Sequence, residues 1–470
     1  MNIDPSIERE WAVYAGVEEL KTSPERQLVT YSIPTPGLVL ENFLRQAEGQ
    51  SRFFWQRGGR SELYAGFGTA AQLIAWGENR FLEIEQKARR LFKQAYILGR
   101  HSVPILPRLF GGFSFRDDFT ADNTWAAFHP AHFVLPHYQL VQKDDMSWLT
   151  INTLVPKSEN LVDIGPQLHE ALLARYQYFV EKGLDEKPVK ENNKFVIRYP
   201  MPYEIWESLV NNAIHAMATT ELNKVVLARV CEIKSKDRID ICQALSFLNK
   251  QYGDCTRFLF EPRPYHAFYG ATPEVLIQLA GKEIATMALA GSMPRGRTAE
   301  EDQANARKLL NSGKERHEHQ LVAQSIRRRL KPITSQLELP EVPEIYQLSY
   351  IQHLLTPIKG KLRRKSGILP LVHLLHPTPA LGGSPRALAM DFIRDNEPVP
   401  RGWYAAPVGW LDSQMDGEFV VAIRSAVAQE RRVWCYAGAG IVPDSQPAIE
   451  WDETDLKFQP MLRALNANQI

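Results

Sequence analysis

Short runs rich in β-branched and aromatic residues, cut apart by Gly and Pro, recur along the whole chain and confine it to folds built on many strands. KVVLARVCEI (224–233), CTRFLFEP (255–262), AFYGA (267–271), GWYAAPVGWL (402–411), GEFVVAIRSAVA (417–428) and RVWCYAGAGIV (432–442) each read as one strand. In the first half, LYAGFGTAAQL (63–73) and RLFGGFSF (108–115) set Gly pairs beside apolar and aromatic residues. HFVLPHYQLVQ (132–142) reads as a strand with an edge-type Pro136. Helical periodicity is confined to residues 78–98, 299–311 and 314–330 and to a last stretch from near Glu450, which Pro460 should kink or end. Strand runs with interspersed helices predict a large α/β chain of the α+β kind, not a doubly wound one. The charged, proline-bearing stretch EKGLDEKPVKENNK between Val180 and Tyr199 is the candidate linker or long surface loop.

At 470 residues and 44% hydrophobic content the chain can bury a large core, and no apolar run approaches the length that spans a bilayer. Lys+Arg is 55 against 54 Asp+Glu, so no bulk charge advertises nucleic acid or an acidic membrane. A charge-based function must therefore sit in local clusters. The four cysteines, Cys231, Cys242, Cys255 and Cys435, form no C-x-x-C, which excludes a zinc knuckle and a thioredoxin-type pair. The first residues, MNIDPSIEREW, contain no apolar leader core. The expectation is a soluble, cytoplasmic protein with reduced core cysteines.

Several familiar signatures are missing. There is no P-loop and no G-x-S-x-G elbow. Gly66 and Gly68 begin a G-x-G, but Ala71 breaks the dinucleotide fingerprint. His317-Glu318-His319 fails as a zincin because position 321 is Leu. Arg327, Arg328 and Arg329 read as a solvated helix face.

What remains is a set of charged residues in apolar settings. Lys224 shares a strand face with Val226, Ala228 and Val230, so it either snorkels from the strand end or is desolvated enough to act as a base. Glu315 and Glu318 lie i, i+3 on one helix; Ser312 to Glu315 fits a capping box, whereas Glu318 falls on the side of Val322 and needs a partner. Glu450 and Glu453 repeat the i, i+3 spacing, and Lys457 follows Glu453 at i+4, as in an ordinary surface ion pair. Two such acidic pairs suit a hard cation such as Mg²⁺. Gly438 and Gly440 just after a strand form either a plain tight turn or an anion-binding loop. Arg424, within an apolar strand, is a natural carboxylate fork. These residues together describe an enzyme for a small anionic substrate.

Taken together, KVVLAR (224–229), GATPEVL (270–276), ALAGSMPRG (288–296), KERHEHQLV (314–322), LHPTPALGGSPR (375–386), GWYAAPVGW (402–410), VAIRSA (421–426) and AGAGIVPDSQPAIEWDETDLK (437–457) resemble the chorismate-utilising enzymes. That family includes anthranilate, aminodeoxychorismate, salicylate and isochorismate synthases. GGFSF (111–115) is similar to the same region of menaquinone-pathway isochorismate synthases. The resemblance implies an anthranilate synthase component I-like fold, also that of aminodeoxychorismate synthase: two stacked, mainly antiparallel sheets flanked by helices, with the site between them. Residues 1–200 would add strands to the chorismate-binding region, 201–470, within one integrated domain.

The resemblance also assigns roles. It implies that Glu318 and Glu453 hold Mg²⁺, with Glu315 and Glu450 beside them and Lys457 near the metal. Glu274, in the T-P-E motif, corresponds to the general acid. Arg424, Tyr404 and the N–H groups around Gly438 and Gly440 correspond to groups that hold the pyruvyl carboxylate. Members that add water carry a Lys where Lys224 stands, whereas ammonia-using members have Gln, which cannot act as a base. Ala380 replaces the nucleophilic Lys of aminodeoxychorismate synthases and the Thr of anthranilate and salicylate synthases. Lys224 with Ala380 and Leu381 therefore resembles isochorismate synthase, serving menaquinone or phylloquinone synthesis. The rivals are salicylate synthase, a siderophore-pathway isochorismate synthase, anthranilate synthase and a non-catalytic chorismate binder. Water as nucleophile implies no glutaminase subunit, and the expected state is a monomer or homodimer.

Overall fold

A computed structural model describes residues 26–98, 105–183 and 195–466. The first residues, read above for a leader, and residues 184–194 of the expected linker lie outside the described residues. The strands form a thirteen-stranded and a ten-stranded sheet. Their pairings are antiparallel except that Arg26–Pro34 runs parallel to Ala95–Leu98. The large sheet contains Lys224–Ser235, Thr256–Arg263, His266–Thr272, Ser425–Gln429 and Arg432–Ile441; the small sheet contains Val275–Ala280, Glu283–Pro294, Ile351–Leu362, Pro407–Asp412 and Gly417–Val421.

Side-chain alternation distributes the core between two faces. In Thr256–Arg263, Phe258 and Phe260 enter the core shared by both sheets, while Leu259 enters a second core under the helices. The sheets meet face to face through aromatic pairs: Phe53 with Phe110 at 6.1 Å between ring centres, and Tyr64 with Trp410 at 4.9 Å. The outer face of the large sheet is covered by helices that include Leu161–Lys182, Ile241–Gln251 and Pro447–Ala464. A strand buried on both faces loses its polar alternation, which is why these segments read as near-continuous apolar runs.

Strands from before residue 200 pair with strands from after it in both sheets. Arg52–Gln56 pairs with Thr256–Arg263, and Arg108–Phe113 pairs with Pro407–Asp412. At the first seam Arg52 stands opposite Glu261, and the two side chains form a buried ion pair at 2.6 Å.

Four expectations need correction. Residues 132–142 are not one strand: Ala131–Leu135 belongs to the small sheet and Tyr138–Lys143 to the large one. Pro136, which has no N–H for a ladder, marks the crossing between sheets and not a sheet edge. Residues 417–428 likewise divide into Gly417–Val421 in the small sheet and Ser425–Gln429 in the large one. Of residues 402–411 only Pro407–Asp412 is strand, because Gly402 (φ +54°) and Ala405 (φ +60°) turn the chain before it. A Cβ on Gly402 would lie 2.1 Å from Cε2 of the buried Trp125, so the turn admits only glycine there. Pro460 sits inside the helix Pro447–Ala464 without ending it; burial of Phe458, Pro460, Met461 and Leu462 outweighs one lost backbone hydrogen bond.

The expected helices are present as Arg80–Lys93, Ala299–Asn311 and Gly313–Leu330, except that the first stops at Lys93 and the end of its expected range, Ala95–Leu98, is a strand. All four cysteines are buried and unpaired. No helix among the described residues is long and apolar enough to cross a membrane.

Candidate active site

Two of the crossings between sheets carry candidate residues. Between His266–Thr272 and Val275–Ala280 the chain passes through Pro273 and Glu274; between Gly417–Val421 and Ser425–Gln429 it passes through Ala422, Ile423 and Arg424. The crossings are laced together. Val421 N–H donates to the Glu274 carbonyl at 3.0 Å, and Ala271 N–H donates to the Arg424 carbonyl at 3.1 Å. Thr272 Oγ1 accepts from Glu274 N–H at 3.2 Å.

The crossing buries the Glu274 carboxyl to 5% exposure. Burial pushes its pKa up to about 8, although Lys224 and Lys457 offset part of the rise. At neutral pH it is mainly the protonated acid. Arg424 has φ +49°, a strained conformation for a residue with a side chain. Its Nη2 donates to His353 Nε2 at 2.9 Å, and His353 Nδ1 donates to the Gly291 carbonyl at 3.2 Å. Burial, followed by the charges of Arg424 and Lys457, holds His353 down to about 3, so the ring is a neutral acceptor that aims the guanidinium.

Lys224 is the first residue of its strand, yet it is only 1% exposed and does not snorkel. Nζ donates to Glu318 Oε1 at 2.5 Å. The partner required by the position of Glu318 is thus Lys224 itself. Gly438 and Gly440 lie within the strand Arg432–Ile441, opposite Ala228 and Val226, and do not form a loop after it. What they provide is room. A Cβ on Gly440 would come within 3.0 Å of Lys224 Cε and 3.5 Å of Glu318 Oε1, and one on Gly438 within 3.2 Å of the Tyr404 hydroxyl. The Gly438 carbonyl accepts from Lys457 Nζ at 2.8 Å.

Ser292 ties two of the four carboxylates together. Its N–H donates to Glu315 Oε2 at 3.0 Å and its Oγ donates to Glu453 Oε1 at 3.1 Å. A bulge at Gly291 (φ +75°) turns the strand so that both contacts form. Ser312 does cap the helix, accepting from Glu315 N–H at 3.3 Å. The Glu315 carboxylate takes the Ser292 N–H, which frees it from the return half of the box. Burial and then Glu318 raise the pKa of Glu315, and burial and then Glu453 raise that of Glu450. Burial also opposes ionisation of Glu453, but Lys457 at 3.0 Å outweighs it and holds Glu453 low. A proton shared by this last pair therefore resides on Glu450.

Hard oxygen donors whose neighbours make one another harder to ionise suit a small divalent cation. Among the described residues, however, no three Asp, Glu, His or Cys side chains stand close enough to hold one as placed. Glu318 cannot keep Lys224 and give both oxygens to a cation, so the two roles compete for it.

Tyr404 is buried against Tyr436, with ring centres 5.2 Å apart, and burial raises its phenol pKa. The Ala380–Leu381 segment runs along the Lys224 strand, where the next residue, Gly382, accepts from Val226 N–H at 2.9 Å. His353, Ser292 and Gly291 were not singled out from the sequence. Ser292 and Gly291 stand inside ALAGSMPRG, but their roles depend on a bulge that no local pattern marks.

The model of the family described as "Chorismate binding enzyme" matches residues 15–466. The "Salicylate biosynthesis isochorismate synthase" of Pseudomonas aeruginosa is 37% identical over 401 residues, covering 85% of this chain and 82% of that protein. "Isochorismate synthase MenF" of Bacillus subtilis is 34% identical over 428 residues, covering 89% and 88%. The solved structure of MenF, the menaquinone-specific isochorismate synthase of Escherichia coli, superposes with a TM-score of 0.77 at 24% identity, covering 98% of this chain and 99% of that one, which shows a shared fold.

Gly440→Ala tests whether the glycine serves the Lys224–Glu318 pair. The clash is with the flexible end of a lysine, so the melting temperature should stay within a few degrees of the parent. Chorismate turnover should drop on the order of 10-fold or more, since small misplacements at a reacting group are costly. A folded variant with parental turnover would show that this space is not required.

Proposed function

The chain belongs to the chorismate-binding enzyme family, and from that premise we propose that it is an isochorismate synthase, isomerising chorismate for menaquinone synthesis. The observation that carries the reading is the pairing of a buried lysine, Lys224, with a carboxyl kept protonated by burial, Glu274, in one site. The reaction needs a base for water and an acid for the departing hydroxyl, and an amine beside a protonated carboxyl supplies one group of each kind. Ala380 offers neither an amine nor a hydroxyl for any further step. The isochorismate synthases of P. aeruginosa and B. subtilis support the reaction, and MenF supports the destination.

In this mechanism Lys224 Nζ takes a proton from water as the oxygen bonds to C2 of chorismate. The double bonds shift, and Glu274 gives its proton to the hydroxyl leaving C4, which departs as water. One water enters and one leaves, so substrate and product have the same composition. In the reverse direction the two groups exchange roles. Arg424 and Tyr404 orient the pyruvyl carboxylate. Glu318 and Glu453, with Glu315 and Glu450 beside them and Lys457 screening Glu453, would hold Mg²⁺, which supplies positive charge for the ring carboxylate. Water as nucleophile leaves no task for a glutaminase.

The product profile tests this directly. Purified protein with chorismate and Mg²⁺ should yield isochorismate without stoichiometric pyruvate, lose activity in EDTA and regain it on adding Mg²⁺. Lys224→Gln should remain folded and lose at least ~10²-fold in rate, the lower range for a general base. Stoichiometric pyruvate would indicate a salicylate synthase, and an amino product formed only with ammonium would indicate an anthranilate synthase. Restored menaquinone in a strain lacking its own isochorismate synthase checks the destination.

Glu274 sets the alkaline limb of the pH profile. The protonated form is active, and its pKa is raised to about 8 by burial. kcat/KM should therefore fall as pH rises through about 8, a limb that Glu274→Gln, itself strongly impaired, should lack. A wild-type profile flat to well above that pH would remove Glu274 as the acid.

A further inference from the structure

The Lys224 strand has an incomplete edge. On one side it pairs with Arg432–Ile441 throughout; on the other, Phe195–Arg198 covers only residues 232–235, and Gly383–Ser384 covers only residues 224–225. Between them the Gly382 carbonyl takes the Val226 N–H, and side chains take the next two groups of the edge. Arg401 Nη2 donates to the Val226 carbonyl at 2.6 Å, and Glu397 Oε1 accepts from Ala228 N–H at 2.9 Å. The two side chains also bind one another, with Arg401 Nε donating to Glu397 Oε2 at 2.8 Å. Both are almost fully buried, at 3% and 4% exposure.

Arg401 reaches two further parts of the site, one through its guanidinium and one through its backbone. Its Nη1 donates to the Leu381 carbonyl at 3.0 Å, and its own backbone carbonyl accepts from Tyr404 N–H at 2.9 Å. The guanidinium also lies over the Phe115 ring, 4.2 Å from its centre. A strand in place of this pair would close the edge, but it could not also hold the Leu381 carbonyl from the same group. A planar fork with several donors can.

Resting on the isochorismate synthase reading, we propose that Glu397 and Arg401 are a positioning pair for catalysis. They hold the Lys224 strand and the Ala380–Leu381 segment in one arrangement, acting through Lys224 and not on the substrate. Lys224 lies two residues from Val226, and its ammonium must meet Glu318 across the space left by Gly440. Loss of the edge would let that strand end shift relative to Glu318 and Glu274.

Removing one partner alone would strand a buried charge, so folding is protected by replacing both. Glu397→Leu with Arg401→Met exchanges the ion pair for apolar groups of similar size, a change that is often neutral for stability. Arg401→Lys is the second variant: it keeps both charges but cannot reach Val226, Leu381 and Glu397 together. Each is assayed for isochorismate formation in the parent and in Lys224→Gln, with a thermal melt. The expected result is a cooperative melt and a kcat lowered about 10-fold or more in the parent, but less than about threefold in Lys224→Gln, because residues acting through one another are not additive. Equal losses in both backgrounds would mean a merely structural pair and overturn the proposal, as would unchanged kcat in the parent. A parent protein that makes no isochorismate would overturn the reaction assignment, and the positioning proposal with it.

Discussion

The site depends on keeping charge between two sheets where water cannot reach it. Lys224, Glu274, Arg424 and Glu450 are each at most 7% exposed, and each must be neutralised or partnered to be there at all. The partners come from distant parts of the chain: Glu318 from a helix for Lys224, His353 from the small sheet for Arg424, and Glu453 on the same helix for Glu450. Glu274 responds to burial by holding its proton. Fold and chemistry therefore share a cause, since the desolvation that costs stability also moves an acid into the range a reaction at neutral pH requires.

The crossings between sheets make this possible. A residue in the middle of a ladder faces one core or the other. A residue at a crossing lies where two sheets meet, and its backbone can leave the strand conformation. Arg424 does so with a positive φ, and Glu274 does so after Pro273. Gly291 achieves a similar result within a strand, where its bulge directs Ser292 toward two acidic helices. The strain at Arg424 sits beside the charges, and the broad aromatic core between the sheets holds it in place.

Glycine acts here more by absence of volume than by flexibility. Gly440 leaves space for the end of Lys224, and Gly438 leaves space for the Tyr404 hydroxyl, both within regular antiparallel pairing. Expected from the sequence as a tight turn or an anion-binding loop, this G-x-G lies instead inside a paired strand. Only the register against Val226 and Ala228 shows what the missing side chains would have struck.

The sequence by itself determined the strand-rich α+β class, three of the helices and the identity of the charged residues, because apolar runs and acidic i, i+3 pairs are local patterns; the two stacked sheets followed from the family resemblance. It placed Lys224 and Glu318 as residues in need of partners, but it could not join them across 94 positions. Only the tertiary structure decided that they satisfy each other, that 132–142 and 417–428 each break between sheets, and that Pro460 stays within its helix. It alone brought out His353 and Ser292, and the Glu397–Arg401 pair that closes the edge beside Lys224. The reason is physical: propensity and periodicity act over a few residues, whereas burial, and the pairing that burial enforces, are properties of the assembled sheets.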